Sequence, residues 1–478
     1  MLRRRLQIFL QTLAQNTEAN QYHCMNLFNE NKKIVVRMAP SPTGNLHIGT
    51  ARTALYNYIF AQKYGGTFIM RIEDTDKERS TSAFEEEIIE GLTWLGLKWD
   101  DFYRQSERGD IYKKYLETLI AEEKAYVSKE ESRREPGTEI EVIRLKNAGK
   151  SITFEDEVRG EVTFDTTELG DFVIARSIDD ALYHFTVVVD DHEMGVTHVI
   201  RGEDHISNTP RQILIQEAIG AVRPVYAHLP LLLAPDRSKL SKRHGAVALK
   251  DYQDAGYLPS ALGNYLSLLG WNPGTDQELF SLEELTAEFD LGGVQKGGAI
   301  FDIEKLKWFN KEHLRGFDAA AFYEYAAPWL LPIVSEKSQF SEDRLQKLLP
   351  TIHERITHGS EIVENAEAGE YDFAFETPAV TAEMLAWKND DSAKDALPRL
   401  RKVAEILSTL PEDGDFETLK APIFAFAEQV GKGEVLWPLR VALTGKERSP
   451  DPFTVIHIIG TAESYKRVQH ACDTILSA

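Results

Sequence analysis

Between two apolar stretches the chain carries Arg37-Met38-Ala39-Pro40-Ser41-Pro42-Thr43-Gly44-Asn45-Leu46-His47-Ile48-Gly49-Thr50. A loop that leads from a strand into a helix turns backbone N–H groups and the positive end of the helix dipole toward a bound anion. Gly44 and Gly49 would let the backbone approach phosphates closely, and His47 would donate a hydrogen bond to a phosphate oxygen. A lone His-x-Gly is more often a surface turn; the continuous run is what favours anion binding. Much later comes Lys239-Leu240-Ser241-Lys242-Arg243-His244-Gly245. Such a run is usually a solvated charge cluster. A flexible lysine loop also suits the charge that develops on transferring phosphates. That transfer needs no side-chain nucleophile where the substrate itself attacks the phosphate, and catalysis is then positioning plus charge stabilisation.

Two further segments bear polar groups. Arg71-Ile72-Glu73-Asp74-Thr75-Asp76 is acidic and follows an apolar run; alone it would read as a loop or helix start. The segment from Tyr183-His184-Phe185 to Arg201-Gly202-Glu203-Asp204-His205 reads as two strands, Tyr183 to Val189 and Val196 to Ile200. Strand ends would then carry Tyr183 and Arg201 to the C-terminal edge of a sheet, where open α/β folds bind ligands. Asp190-Asp191-His192-Glu193 resembles a metal set but reads as a polar turn.

The elements that must position these groups begin with a strand at Ile34 to Ala39. A helix follows at Thr50 to Tyr64, with Ala51, Leu55, Tyr58 and Ile59 on one face, stopped by Gly65-Gly66. Thr67 to Ile72 is a second strand. Strand, loop, helix, strand opens a parallel α/β sheet. Residues from about 104 to 180 read as an insertion, with a helix at Ile111 to Ala125 and strands at Ile140 to Leu145 and Val162 to Phe164. Leu229 to Ala234 fits a short buried strand. Thr209-Pro210 reads as N-cap and first residue of a helix through Ile219. Beyond about residue 250 helices dominate, including Leu258 to Leu269, Ile303 to Asn310 and Glu463 to Leu476.

The bulk numbers set the frame. A length of 478 residues suits roughly three or four domains. Two cysteines, Cys24 and Cys472, form neither a disulfide framework nor a metal cluster, so a reducing, cytoplasmic compartment is expected. No apolar run approaches the ~20 residues of a membrane helix. The formal net charge of −22 argues against a nucleic-acid partner and for a soluble enzyme of small metabolites. A local basic surface can nevertheless coexist with an acidic whole. Residues 1–32, with a basic start at Met1 to Arg5, allow three readings: initiation at Met25, an extra tail or helix, or an organellar transit peptide.

Taken together, His47-Ile48-Gly49-Thr50 and Lys239-Leu240-Ser241-Lys242-Arg243 resemble the two signatures of class I aminoacyl-tRNA synthetases. Thr50 stands where the superfamily usually has His. The Ala-Pro-Ser-Pro-Thr-Gly opening with Arg71–Asp76 resembles the glutamate branch more than the glutaminyl one. Gly297 to Asn310 looks like that family's stem-contacting region, and Pro438-Leu439-Arg440-Val441-Ala442-Leu443-Thr444-Gly445 like its anticodon-binding helical cage, so the resemblance spans nearly all of 33–478.

The resemblance implies an α/β Rossmann-type parallel-sheet catalytic domain with an α+β insertion, followed by all-α anticodon-binding domains. The expected boundaries are 33–103 and 183–245 for the two catalytic halves, 104–182 for an acceptor-binding insertion, 246–318 for stem contacts and 319–478 for the anticodon region. It implies ATP-dependent glutamyl-adenylate formation and transfer to the tRNA 3′ end. Partners would be L-glutamate, ATP with Mg2+, and tRNA(Glu); charging of tRNA(Gln) depends on anticodon discrimination and stays open. A monomer is expected. Some members carry zinc in the insertion, but this one has no cysteine there, so no zinc is expected.

By motif register, Arg37 would take the γ-carboxylate with help from Tyr183. Glu73 would hold the ammonium, Ala39 and Ser41 would line the pocket, and Arg201 would reach the substrate from the opposite strand. Thr43, His47, Gly49, Asp204 and Lys242 would bind ATP. His47, Gly49, Lys239 and Lys242 would carry the catalysis. Arg355 and Arg440 would read anticodon bases. A plain strand-end arginine is the alternative for Arg37, and a helix-surface arginine for Arg355. Loss of His47, Gly49 or Lys242 would mark a non-catalytic paralogue; all are present. The 300–478 region argues against a tRNA-base-modifying paralogue.

Overall fold

The computed structural model describes residues 33–131, 137–241, 243, 245–412 and 414–478. The 1–32 extension and Lys242 lie outside the described residues. The described residues divide into two compact units, one within 33–254 and 259–309, the other within 255–258 and 310–478.

In the first unit, β1 (Val35–Met38) is followed by α1 (Ile48–Lys63) and β2 (Thr67–Ile72). Then come α2 (Ser82–Trp94) and β3 (Asp101–Arg104). The three strands are parallel in the order β1-β2-β3, with Val35 opposite Thr67 and Ile69 opposite Asp101. After the insertion, α4 (Tyr183–Glu193), β10 (His198–Gly202), α5 (Thr209–Ile219) and β11 (Val225–Leu229) complete the second half. Strands β10 and β11 are parallel, with His198 opposite Val225.

Thr197 joins the two halves. Its N–H donates to the Val35 carbonyl at 2.9 Å, and its hydroxyl accepts from the Val35 N–H at 2.9 Å. The strands therefore run β3-β2-β1-β10-β11, and the chain crosses from one side to the other between β1 and β10. That is a topological switch point, where a crevice opens beyond the strand C-termini.

Helix α1 buries Ile48, Ala51, Leu55, Tyr56, Ile59 and Phe60, whereas Tyr58, assigned to the buried face from spacing, is only half-buried. Each fully buried Leu, Ile or Phe contributes about 1.5–3 kcal/mol, so the helix and the loop before it are firmly seated. Its C-terminus is at Lys63, and Gly65 adopts φ 59°, a left-handed turn that residues with a Cβ rarely take.

The insertion is α+β. It contains α3 (Gly109–Ala121) and the antiparallel strands β4 (Ala125–Glu131), β5 (Glu139–Leu145), β8 (Phe172–Ser177) and β9 (Asp180–Ala181). Between β5 and β8 it sends out a hairpin, β6 (Ser151–Asp156) and β7 (Gly160–Asp165). The hairpin attaches to the edge of the catalytic sheet, where Tyr226 of β11 pairs with Asp156 of β6.

Four expectations fail here. Tyr183 to Val189 is a helix, not a strand. It is buried on nearly every side, from Phe185 to Asp191, in one core with Leu116, Ile174 and Ile213. A segment enclosed all round shows no helical period, and its valines mimic a strand. Asp190-Asp191 is correspondingly not a polar turn but the buried last part of α4. Thr209 is not an N-cap either: it is already helical and preceded by a 3-10 turn, Glu203–Asn208. Pro230 ends β11, so the Leu229 to Ala234 strand is reduced to the pair β12 (Leu232–Leu233), which joins β13 (Ala299–Ile300).

The second unit is helical, from Ala319–Val334 to Thr461–Ser477. Its core includes Leu345, Leu400, Val441, Ile456 and Val468. Buried Arg467 donates to the carbonyls of Phe373 at 2.7 Å and Leu443 at 2.8 Å. It thereby satisfies helix ends that would otherwise lack partners.

Candidate active site

A cavity of about 440 Å3 opens at the switch point. Both distant motifs meet there. The Ile48 N–H donates to the Val247 carbonyl at 3.0 Å and the Leu249 N–H to the Leu46 carbonyl at 2.8 Å. These bonds bring the segment after the lysine loop against the segment that carries His47. Arg37, Ala39, Ser41, His47 and Gly49 line the cavity from the first motif, and Glu73, Tyr183, Arg201, Asp204 and Lys239 from elsewhere. Thr43 stands in the same loop, with its N–H on the Ser41 carbonyl at 2.9 Å, but does not line the cavity.

His47 is the N-cap of α1. Its Nδ1 accepts from the Gly49 N–H at 3.0 Å, so the proton of the neutral ring resides on Nε2. Burial, then the charge of Lys239, pushes the imidazole below its ordinary pKa and keeps it neutral. The ring is thus a fixed N–H donor. A Cβ on Gly49 would sit 3.2 Å from His47 Nδ1 and crowd it. His47→Asn preserves the cap, since Asn caps well, but removes the Nε2–H. If that donor serves the transition state, kcat for activation falls by about 10²–10³ with melting unchanged; rapid-quench and calorimetry check this, and an unchanged kcat would exclude the role.

One side of the cavity is an ionic ladder. Asp191 accepts from Arg37 Nε at 3.2 Å and from Arg71 Nη1 at 2.8 Å, and Arg71 Nη2 donates to Glu73 at 3.2 Å. Asp190 accepts from Arg108 Nε at 2.7 Å, Gln105 at 2.8 Å and Tyr112 at 2.8 Å. Arg37, Arg71, Glu73, Asp190 and Asp191 are all buried. Burial opposes ionisation of Asp191, yet Arg37 and Arg71 hold it below the ordinary carboxylate range. Burial raises Glu73 despite Arg71. The Glu73 N–H also donates to the Pro40 carbonyl at 2.9 Å, which ties this ladder to the first motif.

Arg201 differs from Arg37. Its Nε donates to His228 Nε2 at 3.1 Å, its Nη1 to Gln212 at 2.7 Å and its Nη2 to the Thr209 hydroxyl at 2.8 Å. Those acceptors are neutral, and among the described residues no carboxylate pairs with this buried guanidinium. A buried charge without a counter-charge is costly unless a ligand supplies one. Tyr183 faces it from the first turn of α4, with its hydroxyl 3.2 Å from His205 Nδ1. Burial and then Glu73 push the Tyr183 phenol up to about 12, while burial and then Arg201 push the His205 imidazole down to about 4. Both are neutral at physiological pH.

Asp191, His205, Gln212 and His228 had no assigned role in the sequence reading. Asp190-Asp191 is visible in the sequence, where it reads as a polar turn. Arg355 and Arg440 belong to the second unit and are not among the residues that line this cavity. Arg355 is exposed just beyond the helix Glu342–His353. Arg440 is half-buried in Lys432–Thr444, and its Nε is buried with no hydrogen-bond partner among the described residues.

A family described as the catalytic domain of class I tRNA synthetases for E and Q matches residues 33–135 and 128–308, and an anticodon-binding domain family matches residues 321–472. The glutamate–tRNA ligase of Carboxydothermus hydrogenoformans is 41% identical over 483 residues, covering 91% of this chain and 99% of that one. The chain belongs to the glutamate–tRNA ligases. The Aquifex aeolicus glutamate–tRNA ligase is also 41% identical, with 91% and 98% covered. A glutamate tRNA ligase from Elizabethkingia meningosepticum, solved in complex with its amino acid, superposes with TM-score 0.80 at 32% identity, covering 93% of this chain and 100% of that one. The ligase is therefore an aminoacyl-tRNA synthetase that attaches glutamate to tRNA with ATP, through glutamyl-adenylate and then transfer. Among the described residues no helix is long and apolar enough to cross a membrane.

Proposed function

We propose that Arg37 and Arg201 bind the carboxylates of glutamate in this ligase, Arg37 taking the γ-carboxylate with Tyr183, while Glu73 receives the ammonium. The observation that carries this is the buried Arg201 guanidinium, which faces the cavity with only neutral protein partners. The ladder from Arg37 to Glu73 alternates charge, so each ligand group meets the sign it requires. Ala39 and Ser41 shape the wall between them.

Activation is then an attack by the glutamate α-carboxylate oxygen on the α-phosphorus, with pyrophosphate leaving. His47 Nε2–H, the positive end of the α1 dipole, and Lys239 stabilise the charge on the phosphates, with Gly49 keeping the space beside the His47 ring open. Lys242, from the same run as Lys239, joins them by sequence register. Thr43 and Asp204 complete ATP binding, Thr43 from the loop between β1 and α1. Transfer follows when a ribose hydroxyl of the tRNA 3′ end attacks the acyl carbon and AMP leaves.

Asp204 is half exposed, with Lys239 Nζ at 3.8 Å. One such carboxylate suits Mg2+, which binds through one or two carboxylates plus substrate phosphates; when bound, the ion neutralises phosphate charge. Zinc is left out of the scheme because the inserted segment 104–182 has no cysteine. The insertion takes the acceptor end, residues 246–318 the stem, and Arg355 and Arg440 the anticodon. Arg440 is carried by the Pro438–Gly445 run that resembles the family's anticodon-binding cage. A cytoplasmic location fits the two widely separated cysteines, and the resemblance implies a monomer.

The decisive experiment is aminoacylation with purified tRNA(Glu) and tRNA(Gln), each offered glutamate or glutamine. Glutamate is expected to be charged to tRNA(Glu), and glutamine to be rejected on both tRNAs. Charging of glutamine at a comparable rate would refute the carboxylate pocket. Transfer of glutamate to tRNA(Gln) as well would mark a non-discriminating enzyme.

A further inference from the structure

Arg201 is held by His228, and His228 is held in turn by a carboxylate from the inserted segment. An arginine only donates, so His228 Nε2, 3.1 Å from Arg201 Nε, must be the unprotonated nitrogen. The ring proton therefore sits on Nδ1, which donates to Asp156 Oδ2 at 2.5 Å. Asp156 is fixed in its turn: it accepts from the N–H groups of Val158 at 3.1 Å, Arg159 at 2.9 Å and His228 at 3.1 Å. The His228 and Asp156 side chains are fully buried. Burial opposes the ionised form of Asp156, but the His228 hydrogen bond holds it below the ordinary range.

The arrangement has a reason. A carboxylate placed directly on Arg201 would fix it equally well but would neutralise it and compete with a substrate carboxylate. A neutral imidazole aims the guanidinium and leaves its charge available, while the carboxylate stays one ring further back and sets the tautomer.

We propose that Asp156 and His228 are positioning residues for glutamate binding: Asp156 fixes the Nδ1–H tautomer of His228, whose Nε2 then orients Arg201 toward the amino-acid pocket. This rests on the reading of Arg201 as a substrate contact. It makes the β6–β7 hairpin of the insertion a structural part of that pocket.

The test uses the full-length enzyme in steady-state aminoacylation at saturating tRNA. Asp156→Asn is nearly isosteric, but its amide N–H faces His228 Nδ1, which becomes the acceptor and moves the proton to Nε2, against Arg201. The KM for glutamate is expected to rise about tenfold, the effect of one lost hydrogen bond to a charged group, with the KM for ATP almost unchanged. Nitrogen NMR of labelled histidine is expected to show the Nδ1–H tautomer of His228 in the wild type and its reversal in Asp156→Asn. His228→Gln offers an oxygen near the Nε2 position and should retain more glutamate affinity than His228→Asn, which reaches only Asp156. If Asp156→Asn does not fold, that pair decides by the same KM split. An unchanged glutamate KM in Asp156→Asn and His228→Asn, with a raised KM in Arg201→Lys, overturns the relay and leaves Arg201 in the pocket. Should Arg201→Lys also be silent, the substrate role of Arg201 falls with it. Equal rises in both KM values mean a merely structural role and likewise overturn the proposal.

Discussion

Arg37→Ala should lower kcat/KM for glutamate by about two to three orders of magnitude, because truncating one member of a buried, hydrogen-bonded charge pair costs about 2–5 kcal/mol. Arg37 is 4% exposed and faces the cavity, so its charge acts in a site largely free of water. The fold should survive, since Asp191 keeps Arg71 at 2.8 Å when Arg37 is gone. Arg37→Lys should recover only part of the loss, because an ammonium cannot reproduce a planar, two-pronged donor. Glutamate-dependent aminoacylation alongside thermal melting measures both. Wild-type kinetics in Arg37→Ala would remove this residue from the pocket.

The second large effect is on stability. Asp191→Ala leaves Arg37 and Arg71 buried without their shared carboxylate, and breaking such a pair costs about 3–5 kcal/mol. Urea unfolding of the first unit should move to a markedly lower midpoint, and glutamate binding should fall with it. The sign of the pH dependence follows from the lowered pKa of Asp191. A carboxylate depressed in the folded state contributes stability above its unfolded pKa and loses it as pH falls through its folded pKa. The gap between wild type and Asp191→Asn should therefore be full at neutral pH and close only below the ordinary carboxylate range. A gap that does not change with pH would mean that Asp191 acts through packing rather than charge.

The chemistry that lies within one local segment was legible in the chain. His47 and Gly49 are two residues apart at a strand-to-helix junction, so capping geometry alone brings the ring nitrogen to the Gly49 N–H. Strand β2 has the bounds read for it, Thr67–Ile72, because its apolar run is bracketed by Gly65-Gly66 and the acidic cluster. Helix α4 was misread because enclosure on all sides erases the periodicity that distinguishes a helix from a strand. The error carried over to Asp190 and Asp191, since acids beyond a strand would turn into solvent, whereas acids in the last turns of an enclosed helix must find arginines.

Asp156 had a usable local signal. It shares the inward face of β6 with Ile152 and Phe154, at the two-residue period of a strand, while Glu155 points out. That phase says Asp156 is buried but not what it meets.

The sequence by itself determined the strand-to-helix junction that carries His47, the lysine run, a catalytic part followed by a helical anticodon-binding part and, by resemblance, glutamate and tRNA as substrates. These depend on spacing within a segment or on motifs that recur as units. Only the tertiary structure decided which charges face one another. Arg37, Arg71 and Asp191 come from three elements, and Arg201, His228 and Asp156 from three more. A buried ion is tolerable only where folding delivers its partner, and partners that lie 27 to 154 positions apart leave no spacing to read.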